Sequence, residues 1–552
     1  MTITPPISLA AVLPELCVLL GGCAVLLMGQ AGSAAVRRQS PWVALLSLAA
    51  ALAVAMLSAN ASGGWLAVAG SVGSGLAIGS LVPFVRISAL ELGILLTLAN
   101  WSGSRDRERG EFLSMMLFSL CGLLLVAACD NFLLLFLALE LVSIPTYIMV
   151  VLSRTHARAL EAGTKYFYLG ALSAAVMGYG FSFLYGVAET ASISAAAPVL
   201  AEALEDPATL RGGLAVVGLV LAVGGVLFKL AAFPMHFYVA DVYQGSSSPV
   251  AGLLGFVPKL AGVLALFKLL GLTYLWTGDS AAVFWLVWIV ALLSMTVGNV
   301  LALRQTNIKR MLAYSGIAHA GYMLVGVLAG PDAGSGVHRD GIAFLGDGTA
   351  AVLYYVVVYG IANLGAFVVL GLLRQRRAAC ETLRDVAGLM RREPALALLL
   401  ALAMFTLMGL PPAPGFWGKL GLFGSALAAA GDAPAGYGFW LVTLVVLAVL
   451  NSALAAAYYL RVIAAVLVYE NDRPAASTQR EAEHIGALLC GFMILIFAFY
   501  PSVLLTPSQV ATRELREAVQ VSLEHREQAR AGPGVPPLIE MRTDVAASPP
   551  SQ

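Results

Sequence analysis

Three lysines carry the chemistry that this sequence offers. Lys229, Lys259 and Lys419 each lie within an apolar run long enough to sit in a bilayer. An amine at mid-bilayer depth costs about 3 kcal/mol on insertion scales, so a chain that keeps one has a use for it. Prolines stand beside all three. Pro234 follows Lys229 in FKLAAFPMHF, and Pro258 directly precedes Lys259 in GFVPKLAG. Pro411, Pro412 and Pro414 precede Lys419 in GLPPAPGFWGKL. A proline has no N–H for the carbonyl four residues back, which leaves Leu230 and Leu254 in need of other donors. We read these prolines as helix breaks that line a wet cavity. Amines, broken backbone and water at one depth suggest an ion path.

Further titratable groups lie within reach of that path. Glu140 sits mid-helix in NFLLLFLALELVSIPTYIM and is the expected counter-charge of Lys229. A lysine that loses and regains a carboxylate or water changes its hold on a proton, which makes the amines switchable carriers. His236 follows the first break and His319 lies in YSGIAHAGYM, and both can relay protons or pack as hydrogen-bonded core residues. Lys165, near the start of its helix, can join the relay or snorkel to the interface. Lys268 lies nearer a helix end and is left as structural or functional. Glu15, Arg86 and Glu91 read as structural or interfacial groups.

The elements that must position these residues are spanning helices. Of 552 residues, 60% are hydrophobic and 11% charged, about half the charge of a soluble domain. The fold class is an all-α integral membrane protein of about fourteen transmembrane helices. The expected spans are Leu9–Met28, Trp42–Leu57, Leu81–Trp101, Phe112–Cys129, Phe132–Leu152, Lys165–Val187 and a broken Gly212–Tyr243. They continue with Val250–Leu275, Ala281–Leu303, Met311–Gly330, Thr349–Leu373, a broken Pro394–Ala430, Tyr437–Val468 and Ile485–Leu505. Arginines concentrate in alternate loops, at Arg37, Arg105, Arg158, Arg304, Arg384 and neighbours. The positive-inside rule therefore places both termini on the non-cytoplasmic side. No cleavable signal peptide is evident at the N-terminus.

The two broken spans lie five helices apart, which predicts two inverted five-helix repeats at residues 112–275 and 281–468. N-terminal helices fill residues 1–111, a final span covers 485–505, and a polar, partly disordered tail covers 506–552. Within that tail the charged run Arg513–Arg530 and His525 read as a solvated face. The loop Pro331–Gly348 is Gly- and Asp-rich and reads as irregular. Six scattered cysteines without a C-x-x-C pair read as small apolar side chains, so no metal or iron–sulfur site is expected. With no Walker or G-x-G-x-x-G motif, nucleotide binding has no support, and no nucleic-acid partner is expected.

The segments Phe228–Gly262, Asn307–Met323 and Gly409–Leu420, taken together, resemble the antiporter-like membrane subunits of the proton-pumping NADH–quinone oxidoreductase, respiratory complex I. The likeness runs from the fourth helix to the fourteenth. Lysine at 259 favours one branch of that family, since subunits L and M and the multisubunit sodium/proton antiporters typically have histidine there. The resemblance implies that Glu140 and Lys229 form the charged pair of a first half-channel. It implies Lys259 as central relay, Lys419 in the second half, Lys165 as an additional lysine, and His236 and His319 along the polar axis. It further implies proton translocation in a bacterial inner membrane, with FMN, iron–sulfur clusters and quinone held by partner subunits. Subunit M and small subunits such as K would be its neighbours within the bilayer. Gln244 stands where the family has an acidic residue, and Ala240 where it has proline. The alternatives are a membrane subunit of a related hydrogenase or cation/proton antiporter complex, or a stand-alone solute carrier.

Overall fold

The computed structural model describes residues 9–60, 70–72, 76–102, 108–153, 157–271, 281–331, 345–375, 378–432, 436–470, 476–477 and 480–517. Most of the loop at 331–348, His525 and the charged run beyond Glu517 lie outside them. The first helices are α1 (Leu13–Gly29), α2 (Ala34–Arg38), α3 (Ser40–Asn60), α4 (Leu81–Ala99), α5 (Arg109–Ala128) and α6 (Phe132–Leu152). Next come α7 (Ala157–Ala188), α8 (Ile193–Glu205), α9 (Leu210–Leu230), α10 (Val239–Gly245), α11 (Ser248–Gly271), α12 (Ala281–Leu303) and α13 (Ile308–Ala329). The chain continues through α14 (Gly348–Leu372), α15 (Leu389–Arg392), α16 (Pro394–Met408), α17 (Pro414–Asp432) and α18 (Tyr437–Leu467). It closes with α19 (Glu481–Phe499) and α20 (Ser502–Ala511). Among the described residues 12 helices are long and apolar enough to cross a membrane, and α1 and α16 are shorter apolar helices. Short antiparallel strand pairs occupy connections only, such as Gly70–Val72 with Leu76–Ile78.

Every expected span has its helix, and the differences fall on breaks and ends. The seventh span parts into α9 and α10 around Pro234, and the twelfth into α16 and α17 around Pro411–Pro414. Pro258 does not break its helix: α11 runs through it without interruption. A proline removes only its own N–H bond, and in a helix buried on all sides the packing holds the remaining turns in line. The last expected span ends early, at Phe499. A turn at Tyr500–Pro501 then starts α20, so Leu505 belongs to a separate helix.

The start of the tail touches the bundle, while Arg513, Glu514 and Glu517 stay exposed. Thr512 Oγ1 donates to Asp347 Oδ2 at 2.8 Å, and Arg516 Nε lies 3.6 Å from the same atom. Ser80 N–H donates to Glu514 Oε1 at 3.0 Å. Asp347 is fully buried and caps α14 through the Ala350 N–H at 2.9 Å.

Packing repeats along the chain. The contacts α5–α6, α6–α7, α7–α9 and α9–α11 recur as α12–α13, α13–α14, α14–α16 and α16–α18. Glycine sits at the same place in both sets. A Cβ on Gly122 of α5 would lie 2.6 Å from Val142 N of α6, and one on Gly298 of α12 would lie 2.6 Å from Ala318 N of α13. Small residues allow this backbone approach where lipid supplies no hydrophobic drive. Helices α11, α13 and α14 are buried nearly throughout, so the lysine on α11 and the histidine on α13 stand in the centre of the bundle.

Three charged residues outside this centre, Glu15, Arg86 and Lys268, are held by local partners. Arg86 of α4 holds Glu15 of α1 through Nε–Oε1 and Nη2–Oε2 at 2.9 Å each, with both side chains buried. Removing one partner leaves an uncompensated buried charge. Arg86→Ala is therefore expected to cost about 3–5 kcal/mol of stability, with Glu15→Leu/Arg86→Met recovering most of it. Thermal denaturation in detergent measures both, and an unchanged Arg86→Ala midpoint would dismiss the pair as a staple. Lys268 Nζ donates to the carbonyls of Ala127 at 3.1 Å and Cys129 at 2.6 Å. It is a cationic cap on the C-terminus of α5.

Candidate functional site

The first break is built by the sequence after Lys229. Ala231 adopts a left-handed conformation at φ 59° and ends α9. The Ala232 N–H turns back to Leu227 O at 3.0 Å. Pro234 then offers no donor to Leu230 O. That carbonyl accepts instead from Lys259 Nζ on α11, at 2.8 Å. The second break repeats the solution with different geometry. Met408 O stands four residues before Pro412 and accepts from Lys419 Nζ at 2.8 Å, here from the second half of the same broken helix. Each of these lysines fills the bonding gap that a proline opens.

Lys229 points the other way. Its Nζ donates to Glu140 Oε1 at 3.0 Å and to Ser143 Oγ at 2.5 Å, both on α6. The lysine side chain is 2% exposed and the glutamate 16%, so the pair is closed to bulk water on one side and open at the protein surface on the other. Lys229 and Lys259 line one cavity of ≈ 10 Å³, together with Tyr166, Tyr238, Tyr243 and Pro258. That is about the room one water needs. Tyr238 stacks on Phe228 at 4.3 Å and on Tyr166 at 5.0 Å, which walls the cavity with rings.

Beyond Lys259 the polar line runs through tyrosines. Lys259 Nζ also donates to Gly316 O of α13 at 2.8 Å, and lies 5.9 Å from the Tyr359 ring. Tyr359 packs against His319, ring centroids 4.7 Å apart. His319 Nδ1 bonds Tyr355 Oη at 2.7 Å and Nε2 bonds Tyr459 Oη at 2.9 Å, and Tyr459 in turn bonds Ser315. Tyr322 stands between His319 and Lys419, its ring 5.8 Å from the imidazole and 4.9 Å from Lys419 Nζ. Lys419 reaches Ser452 Oγ on α18 at 2.8 Å, beside Asn451, which accepts from Asn299. The buried Tyr359 hydroxyl and both amide atoms of Asn363, one turn further along α14, have no hydrogen-bond partner among the described residues. A buried polar group left unpaired costs about 1–3 kcal/mol, so water is the partner such groups call for.

The structure thus brings together Glu140, Lys229, Lys259, His319 and Lys419. His236 is buried between the rings of Phe233 and Phe237, and its Nδ1 lacks a partner among the described residues. Lys165 stands apart. Its side chain is 42% exposed and bonds Asp241 Oδ2 at 2.8 Å and Glu161 Oε1 at 2.7 Å. Asp241 of α10 also holds Arg310 at 2.7 Å, and Arg310 donates to Gln244 at 3.0 Å. Gln244 therefore keeps an acceptor for Arg310. Sequence reasoning missed the tyrosines, Ser143, Asn363 and Asp241. The only signal for the tyrosines was their helical spacing, Tyr355 and Tyr359 on α14 and the pair Tyr458–Tyr459 on α18.

Partial burial raises the Asp241 carboxyl, but hydrogen bonds from Lys165 and Arg310 outweigh it and leave its pKa below the ordinary 3.8. The sign follows: the tie among α7, α10 and α13 is whole at neutral pH and is lost only as pH falls through that depressed value. Asp241→Asn should loosen it already at neutral pH. Hydrogen exchange of residues 231–246 should then rise severalfold, and unchanged exchange would show that the tie holds nothing in place.

The chain belongs to the NADH:quinone oxidoreductase/Mrp antiporter membrane-subunit family, whose model matches residues 129–451. Among named relatives, it is 34% identical to NADH-quinone oxidoreductase subunit N of Granulibacter bethesdensis, over 91% of this chain and 98% of that one. Subunit N of Trichlorobacter lovleyi is 35% identical over 83% and 87%. Among solved structures, a chain of respiratory complex I from Thermus thermophilus with bound aureothin superposes with a TM-score of 0.69 at 29% identity, covering 89% of this chain and 98% of that one. A chain of the Mrp complex from Dietzia shares the fold, with a TM-score of 0.74 at 18% identity over 93% and 100%.

Proposed function

We propose that this chain is the subunit N of a proton-translocating NADH–quinone oxidoreductase and carries protons across the bacterial inner membrane. Partner subunits oxidise NADH and reduce quinone, with FMN, iron–sulfur clusters and quinone held there and no redox step in this chain. One observation carries the reading. Lys229, salt-bridged to Glu140, shares a cavity at the broken helix with Lys259. A charge change in a neighbouring subunit draws Glu140 from Lys229. The ammonium of Lys229 then passes its proton through the cavity to the amine of Lys259. From there it travels by way of His319 and the surrounding hydroxyls to Lys419, with His236 and Lys165 feeding the path from the breaks and the arginine-rich side.

In this reading residues 112–275 and 281–468 are inverted halves, residues 1–111 flank them, and both termini are non-cytoplasmic. The antiporter-like subunit M and small subunits such as K are the neighbours. The curated likeness and the lysine at 259 favour this over a hydrogenase or cation/proton antiporter complex. Purification from mild detergent tests it: the chain should bring NADH-oxidising partners and NADH-driven acidification of inverted vesicles. Co-purification with hydrogenase or antiporter subunits alone would overturn it.

A further inference from the structure

The cavity between Lys229 and Lys259 can be read hydrogen by hydrogen. An ammonium carries three N–H groups. Lys229 gives two of them to Glu140 and Ser143, and Lys259 gives two to the carbonyls of Leu230 and Gly316. One valence of each nitrogen is left over. It is a hydrogen when the group is charged and a lone pair when it is neutral. Both side chains line the cavity, whose ≈ 10 Å³ has room for a single water.

Three tyrosines line the same space, and two have their hydroxyl hydrogens committed elsewhere. Tyr238 donates to Phe228 O at 2.8 Å. Tyr166 Oη bonds Thr146 Oγ1 at 3.2 Å, while Thr146 donates its one hydrogen to Ser143 O at 2.6 Å. The hydrogen between the two hydroxyls therefore comes from Tyr166. Tyr243 differs. It is 3% exposed, and its hydroxyl makes no hydrogen bond among the described residues. It lies on α10, the short helix after the break, with its ring packed on Phe367 of α14 at 5.7 Å. A buried phenol left unpaired costs about 1–3 kcal/mol, and a water in the cavity is the partner it calls for.

We propose that Tyr243, acting with one water, is a proton-transfer group between Lys229 and Lys259, which rests on the function read above. In the transfer an N–H bond of Lys229 breaks and its proton joins the water. The water passes a hydrogen to the Tyr243 oxygen, and the phenol's own hydrogen becomes the third N–H of Lys259. Lys229 ends as an amine and Lys259 as an ammonium, while water and phenol end as they began. Rotation about the C–O bond returns the hydroxyl to its first setting. Tyr166 and Tyr238 donate away from the cavity, so they wall it without handing on a hydrogen.

The experiment uses the full chain in its assembled complex. Tyr243→Phe removes an oxygen that ties no protein group and keeps the ring on Phe367, so the thermal midpoint should hold. NADH-driven acidification of inverted vesicles should fall about tenfold, short of the loss of a lysine because the water remains as a slower bridge. Replacing Tyr243 by difluorotyrosine keeps the shape but holds the phenolic hydrogen less tightly. The alkaline fall of acidification should then begin at a lower pH than in the wild type, a shift that a purely structural hydroxyl does not produce. If Tyr243→Phe fails to assemble, the fluorinated side chain carries the test alone. Wild-type rates in Tyr243→Phe overturn the proposal, and so does a pH profile that fluorination leaves in place. Wild-type vesicles that NADH does not acidify would instead overturn the reading of function, and the proposal with it.

Discussion

Lys259→Ala is expected to cut NADH-driven acidification of inverted vesicles about a hundredfold, the low end of what a positioned proton-transfer group supplies. The amine is buried, and it bonds the Leu230 and Gly316 carbonyls at 2.8 Å each. Alanine removes the proton carrier and strands two backbone acceptors, so an inactive alanine variant alone leaves two explanations. Lys259→Arg separates them. Arginine keeps the cation and the donors but does not release a proton in proteins. If Lys259 carries protons, the arginine variant assembles and is as inactive as alanine. If it only ties the break, arginine pumps normally. Histidine keeps a titratable nitrogen at this place, so Lys259→His should retain more activity than arginine.

The second large effect belongs to Glu140. Glu140→Gln leaves the Lys229 ammonium buried with neutral acceptors in place of its counter-charge, the amide oxygen at 140 and Ser143 Oγ. Breaking such a pair from one side costs about 3–5 kcal/mol, and a lower thermal midpoint of the purified complex should report it. Acidification should fall with it, by about tenfold or more. The double variant Glu140→Leu/Lys229→Met restores an apolar contact and is expected to recover the midpoint while pumping stays lost. Recovery of pumping together with the midpoint would reduce the pair to a structural bridge.

What the sequence disclosed and what it withheld divide along physical lines. Span positions follow from length and apolarity, which are local, and each expected span has its helix. The breaks at Pro234 and Pro412 were legible because several small or apolar residues and a proline coincide with a lysine. Pro258 misled because a proline's effect depends on the packing around it, and α11 is buried on all sides. The Glu140–Lys229 pair could be inferred from cost alone, since a buried charge demands a partner. Tyr459 and His319, 140 residues apart, could not be paired in that way. A tyrosine at helical spacing reads as packing until the facing helix is known. Lys165 shows the converse: its ties to Asp241 and Glu161 put it on a solvated edge that spacing does not reveal.

One nitrogen on α11 joins α9 to α13. The amine of Lys259 on α11 holds a carbonyl of α9 with one hydrogen and a carbonyl of α13 with another. A charged donor makes a stronger bond than a neutral one. Under the proposed function, each departure of a proton from Lys259 would therefore slacken a mechanical joint between α9 and α13. Occupancy of that one amine would then be felt as tension in the backbone of both helices.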